Sequence, residues 1–320
     1  SIEPESKLEI GFTTYMNIFD KTTSLNRAII LAIATYGISE FPNNEGESVI
    51  EKLKVLYETD PDAGIHGAAE LALRKLGQDQ WISSREHILS KSKRISRSRW
   101  FVNSQRQTFA MIDGPKVEFG MGAQLTDPDR IEGMEQPHTM TIPRQFAIGT
   151  KEVTLRQFKM SNPSYDQAIR FGPSEDGPVN RISWYQAAQY CNWLSKEEGL
   201  KESQWCYIPN SKGEYSEGMK IPADVLQRTG YRLPTEAEWE FSCRAGTLTS
   251  RYFGRSENLI GNYEWYDGNS GDRSRVCGEL LPNDLGIFDT LGNSHEWTTL
   301  PIHVAEIEKL LNQGCNDVIV

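Results

Sequence analysis

Cysteine is the residue type with the widest chemistry in this chain, because a thiolate can bind soft metals, act as a nucleophile or form a disulfide. There are five cysteines, and no two of them have the C-x-x-C spacing of a zinc-binding or redox pair. The odd number and the wide spacing argue against a zinc cluster and a dense disulfide framework. One or two disulfides stay open. The five residues are Cys191, Cys206, Cys243, Cys277 and Cys315.

Oxygen donors near the end of the sequence indicate a different metal. Asp289 and Glu296 are hard oxygen ligands seven positions apart, with Gly292 and Asn293 between them. Calcium takes about six to eight oxygens from carboxylates and backbone carbonyls, so a glycine-containing loop that turns back on itself suits it. We therefore expect a bound calcium ion here. The alternative is that both acids only cap the loop.

A second calcium site is expected a little earlier in the chain. It would use Asn262 and Tyr263 together with the loop from Asp267 to Asp272. This loop does not have the ligand spacing of an EF-hand, so the prediction depends on its content of Asn, Asp and Gly alone.

Motifs of several common enzyme classes do not occur in the sequence. There is no Walker loop, no nucleophile elbow and no H-E-x-x-H zinc motif. The pair Gly120 and Gly122 lacks the third glycine of a dinucleotide fingerprint. His66 lies in an apolar helical pattern, where a lone histidine is expected to be structural.

The overall charge limits the kinds of partner. The formal net charge is -10, which argues against nucleic acid, because phosphate binding needs clustered Lys and Arg. A protein or peptide partner stays open. The longest apolar run, from Ala28 to Thr35, is too short to span a bilayer. No secretory signal is visible, which favours the cytoplasm, but the sequence opens at Ser1 without an initiator Met and so leaves the compartment open.

The elements that would position these residues fall into two parts. Residues 1–90 show helical periodicity, and Asp60-Pro61-Asp62 marks the start of one helix. Two short antiparallel helices joined by a tight Asp-Pro turn are typical of HEAT-like repeats. Residues 91–107 open with the basic run from Lys91 to Trp100, which we interpret as a linker, with a basic contact patch as the alternative.

The later part, residues 108–298, mixes strands and helices. Short strands are predicted at 109–112, 116–119, 139–142 and 145–148. Three helices are predicted to begin at capping boxes, in which a Ser or Thr is followed three residues later by Glu or Gln. These boxes begin at Thr154, Ser183 and Thr235.

Five segments in this part together resemble one known family, that of the formylglycine-generating enzymes, or sulfatase-modifying factors. They occur in the family's order and spacing. The segments are Phe119–Gly122; Lys151–Thr154 with Phe158; Pro178–Ala187; Tyr231–Phe241 with Arg244–Gly246; and Pro282–Asp289 with Gly292, Asn293, Glu296 and Trp297. The resemblance implies an α+β, C-type-lectin-like formylglycine-generating-enzyme fold, preceded here by an N-terminal all-α segment.

The resemblance also implies roles for the calcium loop. In the family, the positions that match Asp289 and Glu296 provide side chains to calcium. Those that match Gly292 and Ser294 provide carbonyl oxygens. Ser294 and His295 stand where the family favours Val and Trp, and this leaves the ligand-type residues intact.

Active family members convert a sulfatase cysteine to formylglycine with a cysteine pair, copper and oxygen. That pair lies well after the Gly-Asn…Glu-Trp motif, on a segment that does not occur here. Residues 299–320 form a divergent tail in which Cys315 stands alone. We therefore do not expect copper in this chain and predict no catalytic residue. Val304 to Leu311 is expected to form a short helix.

Three interpretations follow. The first is a non-catalytic binding or regulatory relative, which suits the family because bacterial chains of this type often carry the domain beside helical repeats or kinase domains. The second is a formylglycine-generating oxidase. The third is a relative whose domain is incomplete at its carboxy-terminal end.

Overall fold

The computed structural model describes residues 23–41, 45–92, 97–112, 116–127, 130–131 and 135–299. They divide into two compact units. The first unit lies within Ser1–Asp113, Gln145–Lys151 and Gly278–Asp289, and the second within Gly114–Arg144, Glu152–Cys277 and Thr290–Val320. These units group the chain differently from the ranges predicted from sequence patterns. The helix predicted from Val304 lies outside the described residues.

The described residues of the first unit begin with four α-helices: α1 (Thr23–Ile33), α2 (Glu45–Thr59), α3 (Ala63–Lys75) and α4 (Asp79–Leu89). Asp62 caps α3, because its carboxylate accepts a hydrogen bond from the Ile65 N–H at 2.9 Å. Almost every residue of α3 is buried, so this helix is the centre of the helical core. The core is completed by apolar side chains, among them Ile30, Leu53, Leu71, Leu73 and Ile82.

His66 lies in this core, as predicted for a structural histidine. It is 1% exposed, and its Nδ1 lies 2.7 Å from the Tyr57 carbonyl oxygen. Its ring stacks between Tyr57 and Trp100, at centroid distances of 4.2 and 3.6 Å. Burial lowers the pKa of His66 to about 4, so the ring is neutral at physiological pH.

The described residues of the first unit also form three antiparallel strands, in the order β1 (Trp100–Val102), β2 (Thr108–Ile112) and β5 (Phe146–Gly149). Ala110 lies in the middle strand, paired with Trp100 on one side and Ile148 on the other. The range predicted as a linker thus contains one strand of this sheet. Gly67 of α3 allows the segment that contains Gly286 to approach the helix closely, since a Cβ on Gly67 would lie 2.9 Å from Gly286 Cα.

In its described part, the second unit has a two-stranded antiparallel sheet, β3 (Val117–Met121) with β4 (His138–Ile142), in which Phe119 pairs with Met140. Its helices are α5 (Leu155–Ser161), α6 (Trp184–Glu197), α7 (Glu236–Arg244) and the short α8 (Ile260–Tyr263) and α9 (Asp267–Ser270). The three predicted capping boxes are all formed, at the starts of α5, α6 and α7. Among the described residues, no helix is long and apolar enough to cross a membrane.

Candidate functional site

Asp289, the first predicted calcium ligand, lies in the first unit and is 4% exposed. Its Oδ2 accepts a hydrogen bond from the Gly278 N–H at 2.6 Å. Its Oδ1 is buried, and no group in the described part of the chain hydrogen-bonds to it. Burial raises the pKa of Asp289 to about 6, against the opposing effects of the Gly278 N–H and the Lys151 charge. A buried carboxylate oxygen without a partner is the kind of group that a cation would stabilise.

Gly292 and Ser294, the predicted carbonyl ligands, lie in the second unit. Gly292 has φ +132°, and a Cβ there would lie 2.2 Å from the Trp265 carbonyl oxygen, so only glycine fits. The Ser294 N–H donates to the Gly292 carbonyl at 2.8 Å, which makes a tight turn. The Ser294 hydroxyl donates to Asn180 Oδ1 at 3.1 Å.

Asn293 holds this turn in place. The sequence pattern did not predict this role, because it placed Asn293 only between the expected ligands. It has φ +62°, and its N–H donates to the Trp265 carbonyl at 2.9 Å. Its side chain accepts from the Arg275 N–H at 2.8 Å and donates to Glu152 Oε2 at 2.8 Å. The available signal was the residue type, because asparagine tolerates a positive φ and carries both a donor and an acceptor.

Glu296 is exposed, and its Oε2 accepts from the Trp239 indole N–H at 3.1 Å. In the second predicted site, Asn262 and Tyr263 lie on α8, and the predicted loop from Asp267 to Asp272 contains α9 (Asp267–Ser270). Asn262 is exposed, and the Tyr263 ring stacks on Phe253 at 4.4 Å, which gives Tyr263 a packing role. In the described residues, no group of three or more His, Cys, Asp or Glu side chains is arranged to hold a metal. Both calcium sites therefore stay predictions.

The four cysteines that the structure describes are free thiols and buried. Burial raises the pKa of Cys191 to about 12 and the pKa values of Cys206 and Cys243 to about 11. The Cys277 thiol donates to Glu152 Oε2 at 3.2 Å. Cys315 lies outside the described residues.

The segment from Tyr231 to Phe241 forms a buried ion-pair centre around Glu238, which is 0% exposed. Arg232 donates to both carboxylate oxygens at 2.7 Å, and Arg144 Nε donates to Oε1 at 2.9 Å. The Thr235 N–H donates to Oε2 at 2.9 Å and closes the capping box of α7. This motif therefore has a structural role.

The fold and these motifs define an α+β protein in which irregular loops are held by buried polar pairs, with helices at its amino-terminal end. Residues 101–316, most of the chain, match the model of the sulfatase-modifying factor enzyme 1-like domain. The protein therefore belongs to this family, and the predicted fold class, including the N-terminal helical segment, is confirmed.

Relatives of several kinds are similar to the chain. It is 30% identical over 177 residues to the chaperone protein LppX of Paenibacillus barcinonensis, covering 48% of this chain and 61% of the relative. It is 38% identical over 244 residues to the formylglycine-generating enzyme of Mycobacterium tuberculosis, covering 59% of this chain and 73% of the relative. It is 25% identical over 246 residues to the inactive C-alpha-formylglycine-generating enzyme 2 of Bos taurus, covering 68% and 79%.

Among solved structures, Treponema denticola variable protein 1 is similar, with a TM-score of 0.52 and 27% identity over 62% of this chain and 75% of that one. The chain thus spans about 61% of the length of the LppX relative, and these similarities concern a part of each protein.

Proposed function

We propose that this chain is a non-catalytic binding or regulatory relative of the formylglycine-generating enzymes. The observation that supports this most directly is the state of its thiols. Each of the four described cysteines is buried, and three have pKa values raised to about 11 or 12.

The oxidase chemistry needs thiolates, because copper(I) prefers sulfur and because thiol exchange proceeds through the anion. A thiol with a pKa near 11 is ionised in roughly one molecule in ten thousand at neutral pH. Such thiols exchange only slowly with a substrate cysteine. They act instead as small hydrophobic groups, as Cys191 and Cys206 do in the aromatic cluster with Trp184 and Tyr207.

The names of the similar proteins suggest which functions to compare. One relative carries the name of an active enzyme, one that of an inactive enzyme and one that of a chaperone. The last name supports a function exerted on another protein. The second candidate is the oxidase, which the 38% identity to the mycobacterial enzyme favours.

Calcium is part of the proposal as a structural ion. Asp289 is suited to bind a calcium ion, because its buried Oδ1 lacks a hydrogen-bond partner among the described residues. On the sequence pattern alone, the other ligands would be the Glu296 carboxylate and the Gly292 and Ser294 carbonyls. The ion would supply charge compensation and fix the loop, without taking part in a reaction. The ligands Asn262 and Tyr263 are proposed for a second ion on the sequence pattern alone.

The test is an oxidase assay. The protein is incubated with copper, a thiol reductant, oxygen and a peptide that bears the sulfatase cysteine motif, and mass spectrometry records the cysteine-to-aldehyde change. The formylglycine-generating enzyme of Mycobacterium tuberculosis serves as the positive control. We expect aldehyde from the control and none from this protein. Turnover by this protein that disappears after Cys206→Ser and Cys277→Ser would show that it is an oxidase.

A further inference from the structure

A basic and aromatic surface lies on the second unit, built from Ile169, Arg170, Phe171 and Arg181, which we call the Phe171 patch. The guanidinium carbons of Arg170 and Arg181 lie 4.7 and 4.8 Å from the centroid of the Phe171 ring. Both distances are within the range of a cation–π interaction. Ile169 is 74% exposed, and both arginines are exposed as well.

The backbone beneath the patch is fixed. The Phe171 carbonyl accepts hydrogen bonds from the Ser274 N–H at 2.9 Å and from the Ser274 hydroxyl at 2.8 Å. Asn180, which precedes Arg181, donates its N–H to Gln167 Oε1 at 2.7 Å, and its carbonyl accepts from the Tyr165 hydroxyl. The two ends of the patch are therefore held before any ligand arrives, which reduces the entropy cost of binding.

Arg181 has φ +58°, in the left-handed region. A residue with a Cβ is disfavoured there, and glycine or asparagine would fit with less strain. The Arg181 guanidinium lies beside Phe171. Backbone strain is concentrated at functional positions, where it serves to orient a side chain.

Neither guanidinium has an acidic partner or a hydrogen bond within the described residues. The nearby acids Glu175 and Asp176 pair instead with Arg156 and Lys159. A guanidinium that stacks on a ring keeps the N–H donors at its edge available, and these donors match a carboxylate in pairs. Two such groups contact the same ring, so two sets of carboxylate-binding donors lie close to Phe171.

We propose that the Phe171 patch binds an acidic segment of a partner protein, with two carboxylates on Arg170 and Arg181 and an apolar side chain on Ile169. This inference rests on the proposed binding function and specifies its partner. The net charge of -10 disfavours a nucleic acid, whose phosphate backbone would be repelled over a long surface. A short acidic peptide needs only the local positive charge and the adjacent apolar contact.

The test is fluorescence anisotropy with a labelled peptide in which two glutamates flank a leucine. The comparison peptide has glutamine in place of both glutamates. We expect the acidic peptide to bind at least about tenfold more tightly, a difference of about 1.4 kcal/mol. Raising the salt from about 50 to about 500 mM should remove most of this difference, because exposed charges are screened.

Arg170→Gln and Arg181→Gln should each weaken the acidic peptide about tenfold, while Arg181→Lys should recover part of the affinity by restoring the charge without the planar donors. Arg255→Gln is the matched control. It removes one charge from an exposed arginine that hydrogen-bonds to Thr126, and it should change the affinity less than about twofold.

Equal binding of the acidic and glutamine peptides would overturn the inference, as would an equal loss in Arg255→Gln and Arg181→Gln. Tighter binding of a single-stranded oligonucleotide or of anionic lipid vesicles would also overturn the choice of a protein partner. The aldehyde assay tests the proposed function separately. Aldehyde formation would refute that function, whereas loss of peptide selectivity alone would refute only the Phe171 patch.

Discussion

Replacing Glu238 with glutamine should destabilise the second unit more than any other single change of carboxylate to amide on α7. Glu238 is completely buried and accepts hydrogen bonds from Arg232, Arg144 and the Thr235 N–H. A glutamine at this position has one oxygen that accepts, and its NH₂ group would face a guanidinium, where two donors oppose each other. Both arginines would then be left without their counter-charge.

The expected loss follows from the geometry. Removing one partner of a buried ion pair costs about 3–5 kcal/mol, because the remaining charge stays desolvated. In a unit of this size, that loss lowers the melting temperature by roughly 6–20 °C. Burial alone would raise the pKa of Glu238, but the hydrogen bonds and charge of Arg232 outweigh it and hold the pKa below its ordinary value.

The measurement is thermal unfolding of wild type, Glu238→Gln and the control Glu236→Gln, which changes a less buried acid in the same first turn. The control should stay within about 1 kcal/mol of wild type. Because an acid with a lowered pKa stabilises the fold only while ionised, the gap between wild type and Glu238→Gln should narrow as pH falls below 4.5. Equal melting of the two variants at neutral pH would refute the reasoning.

Three further predictions concern other regions. Arg181→Gly should raise the free energy of unfolding by up to about 1 kcal/mol in denaturant titrations, since it relieves the φ of +58° while removing the guanidinium. Calcium at about a hundred times its dissociation constant should stabilise wild type by about 2.7 kcal/mol. Asp289→Asn should abolish that response, yet melt no lower than wild type in chelator, because burial raises the Asp289 pKa to about 6 and so disfavours its charged form. Mass-mapped alkylation should label Cys191, Cys206 and Cys243 only as fast as the native fold opens, and rapid labelling under native conditions would contradict their raised pKa values.

Local sequence patterns predicted much of the secondary structure. The boxes at Thr154, Ser183 and Thr235 each begin a helix, because the reciprocal hydrogen bonds of a capping box form within four residues. Strands β2 and β4 were predicted to within one residue at each end, from short apolar runs bounded by polar turns. Such signals depend on neighbours in the chain, so they can be found without knowledge of the fold.

Interactions between distant residues could not be found in this way. Glu70 looks like an exposed acid in a helix, yet it is 2% exposed and pairs with Arg74 and with Lys151, far along the chain. The spacing of Glu70 and Arg74 indicates only a helical ion pair. The pairing with Lys151 depends on how the first unit is assembled from separate segments, and no local pattern records that.

The roles of the residues in the candidate site also depend on partners that are distant in sequence. Residue types predicted Asp289 as a calcium ligand, and this stays a prediction; its buried Oδ1 has no hydrogen-bond partner among the described residues. The function of Asn293 depends on three groups that come from Glu152, Trp265 and Arg275, and none of these is close in sequence. A side chain whose partners are all distant can be assigned only after the loops have been placed.

The residues of the family motifs have structural roles in this chain, and these roles do not need the thiolates that the oxidase reaction needs. Arg232 and Glu238 form a buried pair, Gly292 fits against a carbonyl, and Asn293 fastens a turn. Each of these roles maintains the loops, and none of them needs a thiolate. Membership in the family therefore shows the fold, and the activity has to be argued from the site itself. In this chain, Arg181 of the Phe171 patch directly follows Asn180, which accepts the Ser294 hydroxyl hydrogen bond, so the loop that carries a family motif also supports the proposed binding surface.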